Sequence, residues 1–316
     1  MFRTGRIREY QMVDMNENDS VGWTRFDYRA SDGLALAGRY YGRDSVPADS
    51  DALPVICLPG LTRNSADFHE LALHLSQHAD RKRRVLCLDF RGRGMSAHDR
   101  NWENYNPLTE ADDTINGMAA AGIEHAAFIG TSRGGLVMMA IAAMRPAVMK
   151  AIVLNDIGPE IDGRGLVRIK TYIERGADHP NWSSAVAALK AAGQSQFPAL
   201  DDSDWARQAR LIFEERGGKI VRRYDPAILN TLKAINLDNP LPSLWPQFNG
   251  FSKMPTLAIR GGLSDLLSVE VFGKMASTSP LLRQITVKDQ GHAPDLGMSG
   301  LPQKIAAFLA SADKGH

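Results

Sequence analysis

Short, almost wholly apolar runs alternate with stretches of helical character along this chain, and that rhythm restricts the folds open to it more than any other feature. Val55 to Leu58 precedes a helix expected from about Ala66 to Ala79, capped by Asn64 or Ser65. Val85 to Phe90 leads to a helix around Ala111 to Ala121, and His125 to Ile129 to an apolar helix from Leu136 to Met144. Ala151 to Leu154, Thr256 to Arg260 and Arg283 to Val287 have the same strand character. Strands that are apolar on both sides belong in a sheet covered by helices on both faces, and β-α alternation makes such a sheet mostly parallel, an α/β architecture. Trp23 to Asp32 and Leu34 to Gly42 read instead as an antiparallel pair around a Ser31-Asp32-Gly33 turn. In open sheets of this class ligands bind beyond the C-terminal ends of the strands.

One such end carries Gly130-Thr131-Ser132-Arg133-Gly134-Gly135. In G-x-S-x-G the serine occupies a sharp, strained turn between strand and helix, and the glycines let neighbouring backbone pass without a Cβ clash. The hydroxyl of Ser132 is thereby exposed as a nucleophile. The amide of Arg133 falls at a helix N-terminus, where an unpaired N–H and the helix dipole can receive a developing oxyanion. The competing reading of Ser132 is an ordinary helix N-cap.

A serine hydroxyl needs an imidazole to take its proton, and the imidazole needs a carboxylate to fix its tautomer. Asp265 lies near the tip of the loop after Thr256 to Arg260, and His292 follows the strand Arg283 to Val287, so the chain order Ser132, Asp265, His292 is the one this motif calls for. The other seven histidines stand on a helix, at a strand start, in loops or at the terminus.

With Leu58-Pro59-Gly60-Leu61, Leu88 through Ser96, the serine turn, Arg260 through Asp265 and Gly291-His292 all in place, the chain resembles α/β-hydrolase fold enzymes of the esterase and lactonase kind over roughly residues 20 to 312. The family usually carries His-Gly where this chain has Pro59-Gly60, a departure that touches side-chain hydrogen bonds and leaves the backbone turn in place. The resemblance implies that the amide of Leu61 is a second oxyanion donor beside that of Arg133. It also keeps a second acid open, since in some relatives the carboxylate follows the earlier strand, which here ends in Asp156. Asp156 otherwise reads as a structural turn residue. The side chain of Arg133 has two readings, binding a substrate carboxylate or pairing with an acidic neighbour.

The remaining features narrow the function. Asp89 through Gly94 is glycine-rich and basic, but it lacks both the G-x-G-x-x-G spacing and a P-loop lysine, so it reads as a tight turn with Asp89 and Arg91 paired. Lys and Arg number 37 against 36 Asp and Glu, with one basic cluster, Arg81 to Arg84, expected to be a solvated loop, so nothing argues for nucleic acid. Met1 to Asn18 lacks the apolar segment of a secretory signal, and no run approaches the ~18 apolar residues of a membrane span, which makes a cytoplasmic enzyme the expectation. Cys57 and Cys87 fall on strands expected to be neighbours by the family's sheet order; reduced, buried thiols are expected. Neither the cysteines nor the histidines form a metal-ligand pattern, so neither metal nor cofactor is expected.

The alternation stops between about Glu160 and Asn249, a helical but irregular stretch with Trp182, Trp205 and Trp245. It reads as an inserted helical cap (160–249) on a core formed by 1–159 and 250–316, with its aromatics lining an acyl or alcohol pocket and Gly163, Gly165, Gly176 and the Gly217-Gly218 pair letting it move. The expected function is hydrolysis of a small carboxylic ester or lactone through an acyl-enzyme on Ser132. Carbon–carbon bond hydrolysis or perhydrolysis by the same residues is the alternative, and a non-catalytic ligand-binding protein is the reading from another class.

Overall fold

The computed structural model describes residues 21–235 and 241–315; the amino-terminal stretch Met1 to Asn18, residues 236–240 of the 160–249 segment and His316 lie outside them. Among the described residues ten strands form two sheets. β1 (Trp23–Arg29), β2 (Ala35–Tyr41), β3 (Val55–Leu58), β4 (Val85–Asp89), β5 (Ala126–Thr131), β6 (Met149–Asn155), β9 (Thr256–Gly261) and β10 (Leu282–Val287) make an eight-stranded sheet in the order β1-β2-β4-β3-β5-β6-β9-β10. β1 and β2 are antiparallel to each other, β2 is antiparallel to β4, and every later pairing is parallel. The expected strands are thus present, each within a few residues of its expected ends.

Alternation explains why the central strands β3, β5 and β6 are almost wholly apolar. Ile56, Leu58, Phe128, Ile152 and Leu154 face one side, where they pack against Met118, Met138, Phe248 and Phe272. Val55, Cys57, Ile129, Ala151 and Val153 face the other, against Leu71, Leu75, Ile305 and Phe308. Burial on both faces confines polar residues largely to the ends of these strands, as with Asp89, Asn155 and Thr256, the pattern of a parallel sheet. Cys57 and Cys87 stand opposite each other between β3 and β4, both buried and free.

The helices follow the sheet in turn. The segment after β3 is α1 (His69–Leu73) between a 3₁₀ turn from Ser65 and a π turn to His78, with Asn64 capping it by accepting from the Ala66 amide. α2 (Pro107–Ala120) begins four residues earlier than expected, because Asn106 caps it and Pro107 opens it. α3 (Arg133–Met144) starts directly behind Ser132. Between β6 and β9 the chain makes a long excursion through α4 (Gly163–Glu174), α5 (Trp182–Gly193), α6 (Asp202–Ile212), the strands β7 (Phe213–Arg216) and β8 (Lys219–Arg222), α7 (Leu229–Lys233) and α8 (Trp245–Phe248). α9 (Val269–Thr278) and α10 (Leu301–Ala312) complete the layers. Among the described residues no helix is long and apolar enough to cross a membrane.

Three expectations are corrected here. Gly217 and Gly218, read as a hinge, have φ of 60° and 73° and form the two-residue turn of the β7–β8 hairpin, the left-handed pair that glycine adopts without a Cβ penalty. Asp89 does not pair with Arg91: it accepts from the amides of Ser65 and Met95, while Arg91 holds Asp32, Asp99 and Asp113. The Arg81 to Arg84 cluster is not wholly solvated, for Arg83 is buried against Asp313, which also takes Arg81.

Candidate active site

The C-terminal ends of β5, β6, β9 and β10 converge, and the reactive groups lie there. Ser132 has φ 51° and ψ −111°, a conformation that L residues adopt only under constraint. The constraint is visible: the Ser132 amide donates to Asn155 O on the adjacent strand, and the amide of Gly135 closes a turn onto Ser132 O. Both flanking glycines are obligatory. A Cβ on Gly130 would lie 2.4 Å from the Met138 sulfur, and one on Gly134 would lie 2.1 Å from Leu58 O.

His292 Nε2 is 2.9 Å from Ser132 Oγ, and His292 Nδ1 is 2.8 Å from Asp156 Oδ2. The carboxylate that meets the imidazole is therefore Asp156, the alternative acid of the sequence reading, and not Asp265. β6 lies directly beside β5, so its end delivers Asp156 close to the serine turn. Asp156 has φ 54°, which swings its side chain across the sheet edge toward β9. There Oδ1 accepts from the Gly261 amide (2.8 Å), and Oδ2 also accepts from Ser264 Oγ (2.6 Å). Asp156 is fully buried, so these donors replace water around its charge. Sequence reasoning missed Ser264, although it stands in the same loop as Asp265, the acid expected in place of Asp156.

Asp265 points elsewhere. Both of its oxygens are engaged by Arg168 of α4, at 2.6 and 2.8 Å, in a bidentate pair between the excursion and the β9 loop. Burial alone would raise its carboxyl, but Arg168 overrides that and holds it below the usual carboxylate value. Two carboxylates follow neighbouring strands: the one after β6 meets the imidazole, and the one in the loop after β9 is held by the cation from the excursion.

Of the two residues expected to supply oxyanion amides, Arg133 follows the serine and Leu61 stands on the turn after β3. Arg133 is the first residue of α3, where backbone N–H groups have no intrahelical acceptor. Leu61 lies on a turn closed from the Arg63 amide to Gly60 O (3.1 Å), and a Cβ on Gly60 would stand 3.9 Å from that of Ser132. The side chain of Arg133 turns away from the cavity and pairs with buried Glu110 (2.6 Å), so of its two readings the acidic neighbour is the one observed.

Ser132, His292, Leu61 and Arg168 border a cavity of about 250 Å³. Its far walls come from the excursion, including Ile169, Tyr172, Phe197, Leu200, Trp205 and Ile212. Of the three tryptophans in that segment, Trp205 reaches the cavity. Trp182 lies under the Arg210 guanidinium, and Trp245 stacks edge-on against Phe248. The polar side chains at the rim are already matched: Arg63 holds Asp67 and Gln208, and Asp295 takes Arg207 and Gln208. Gln196 reaches from the excursion to the His292 amide, and Asn155 donates to Pro294 O just beyond it.

Comparison with known proteins agrees with this fold. A model of the alpha/beta hydrolase fold matches residues 54–294. A crystal structure of an alpha/beta hydrolase from Novosphingobium aromaticivorans is 36% identical, superposes with a TM-score of 0.83, and covers 91% of this chain and 98% of its own. A 3-hydroxybutyrate-oligomer hydrolase of Cupriavidus necator is 28% identical over 249 residues, 76% of this chain and 82% of that protein. An sn-1-specific diacylglycerol lipase of Danio rerio is 26% identical over 288 residues, 86% of this chain and 83% of that protein.

Proposed function

The chain belongs to the α/β-hydrolase fold family and is a hydrolase, and from that premise we propose that it cleaves a carboxylic ester or lactone through an acyl-enzyme on Ser132. The observation that carries this reading is the continuous run Ser132 Oγ, His292 and Asp156 Oδ2, with contacts of 2.9 and 2.8 Å. His292 Nε2 takes the hydroxyl proton as Oγ attacks the carbonyl carbon, and Asp156 stabilises the imidazolium that results. The amides of Leu61 and Arg133 hold the oxyanion. The tetrahedral adduct then breaks its bond to the alcohol oxygen, which leaves with the proton from His292. A water gives its proton to the same nitrogen, attacks the acyl carbon, and releases the acid with Ser132 restored.

The names of two relatives, a 3-hydroxybutyrate-oligomer hydrolase and a diacylglycerol lipase, support ester hydrolysis over carbon–carbon cleavage. The excursion, 160–249, serves in this reading as a cap on a core of 1–159 and 250–316, and its apolar side chains receive the acyl or alcohol chain. The cations at the rim are neutralised by Asp67 and Asp265, which favours an uncharged chain.

Ser132→Ala tests the reading. It is expected to lower kcat on p-nitrophenyl esters by on the order of 10⁴ or more, as loss of the nucleophile does elsewhere, and to abolish labelling by a fluorophosphonate. Retention of most of the ester hydrolysis would refute it.

A further inference from the structure

Behind the serine lies a buried charge cluster that takes no direct part in the steps above. Glu110 of α2 is fully buried and meets two guanidinium groups: Arg133 Nε at 2.6 Å and Arg93 Nη1 at 2.9 Å. Each arginine leads to one of the two oxyanion amides. Arg133 carries one amide itself, and its side chain is held from two sides, by Glu110 and by Tyr105 O (2.7 Å). Arg93 donates from Nε to Leu61 O (2.8 Å), the carbonyl of the residue carrying the other amide, and from Nη1 to Arg91 O (2.6 Å). The Tyr105 ring lies 5.3 Å from the Arg93 guanidinium and closes the remaining side.

We propose that Glu110 is a positioning residue for the oxyanion hole: one carboxylate, through Arg93 and Arg133, fixes the Leu61 turn and the first turn of α3 at a constant separation. The inference rests on the serine-hydrolase reading and adds to it the group that sets the oxyanion geometry. Charge strengthens the effect. Two guanidiniums against one carboxylate leave a net positive charge, with side-chain exposures of 0% for Glu110 and Arg93 and 12% for Arg133, next to the place where negative charge develops. Water does not screen it there, and a preorganised field of this kind acts on the transition state more than on the neutral substrate. Burial lowers the proton affinity of Arg93, Arg133 adds to that effect, and Glu110 opposes it.

Loss of a whole oxyanion donor costs about 10²–10³ in kcat, and loosening two of them is expected to cost roughly 10- to 100-fold. The test compares Glu110→Gln, which keeps the shape and removes the charge, with the parent enzyme on p-nitrophenyl butyrate, counting competent sites by fluorophosphonate titration. The expected result is that fall in kcat with KM unchanged within about twofold. Affinity for a trifluoromethyl ketone, which adds to Ser132 and forms an oxyanion, should fall by the same factor, while affinity for the methyl ketone of the same chain stays constant. A merely structural role would not separate the two ketones. Equal losses for both, or a folded variant with parental kcat, would overturn the assignment. Should Glu110→Gln fail to fold, Arg133→Met carries the same readouts, because it releases one amide from the cluster while keeping that amide in the chain. Ser132→Ala is run beside them. If it loses turnover while the Glu110 variant stays normal, the role of Glu110 alone falls; if it keeps turnover, the hydrolase mechanism falls as well.

Discussion

Two aspartates compete for one imidazole, and the structure separates them by what else each one touches. Asp156 has a backbone amide, a hydroxyl and the imidazole around it; Asp265 has both of its oxygens held by a guanidinium from the excursion. Asp156→Asn is therefore expected to lower kcat by about 10³–10⁴, since the amide no longer enforces the productive tautomer. Asp265→Asn should leave kcat within roughly threefold and act mainly on KM through the loosened Arg168. Steady-state kinetics of the two variants decide the matter, and the reverse ranking would return the acid to Asp265. Ser132 and His292 were legible because each obeys a local rule: a serine between glycines at a strand-to-helix turn, and a histidine after the last strand. The acid was not, because both candidates follow apolar strands, and the choice depends on the positive φ of Asp156 and on Arg168, 97 residues away from Asp265 in the chain.

Elements constrain the site through close backbone approaches. α3 packs so tightly on β3 that Gly134 almost touches the Leu58 carbonyl. Gly134→Ala would force a Cβ to within 2.1 Å of that oxygen, and since both partners are backbone, the helix or the strand must move. A loss of about 1–3 kcal/mol in urea unfolding is expected, the usual cost of overpacking, together with a fall in kcat as Ser132 shifts with its helix. An unfolding midpoint and kcat equal to the parent's would show that the approach is slack. Elements with a strong two-fold or helical rhythm could be read from sequence. The β7–β8 hairpin could not, because Glu214, Glu215, Arg216 and Lys219 hide its alternation, and a glycine pair in a helical stretch reads as a hinge. The Glu110 cluster was equally hidden, since its members lie on α2, on the loop after β4 and on α3 and meet only in three dimensions.

At the scale of the whole molecule, burial of phenols sets an alkaline limit. Tyr28 is pushed well up, first by burial and then by the carboxylates of Asp113 and Asp89. Tyr105 is raised by burial and by its hydrogen bond to Asp225, and Tyr224 is pushed by burial up to about 12. An unfolded tyrosine ionises near pH ~10. Below that value both states are neutral and the stability is complete. Above it the unfolded chain loses protons that the folded one keeps, so stability falls as pH rises from about 10 to 12, with Tyr224 alone accounting for roughly 2–3 kcal/mol at the upper end. Phenolate absorbance of these three should appear together with loss of the far-ultraviolet circular dichroism signal; ionisation of all seven tyrosines with the helical signal intact would contradict this. The sheet order has one more effect, on the timing of synthesis. The proposed nucleophile and acid directly follow β5 and β6, which are adjacent and consecutive, whereas the imidazole comes only after β10, the last strand among the described residues. A nascent chain interrupted between residues 132 and 292 carries the serine without the imidazole, so on the proposed mechanism competence waits until residue 292 has been made and the strand before it has joined the sheet.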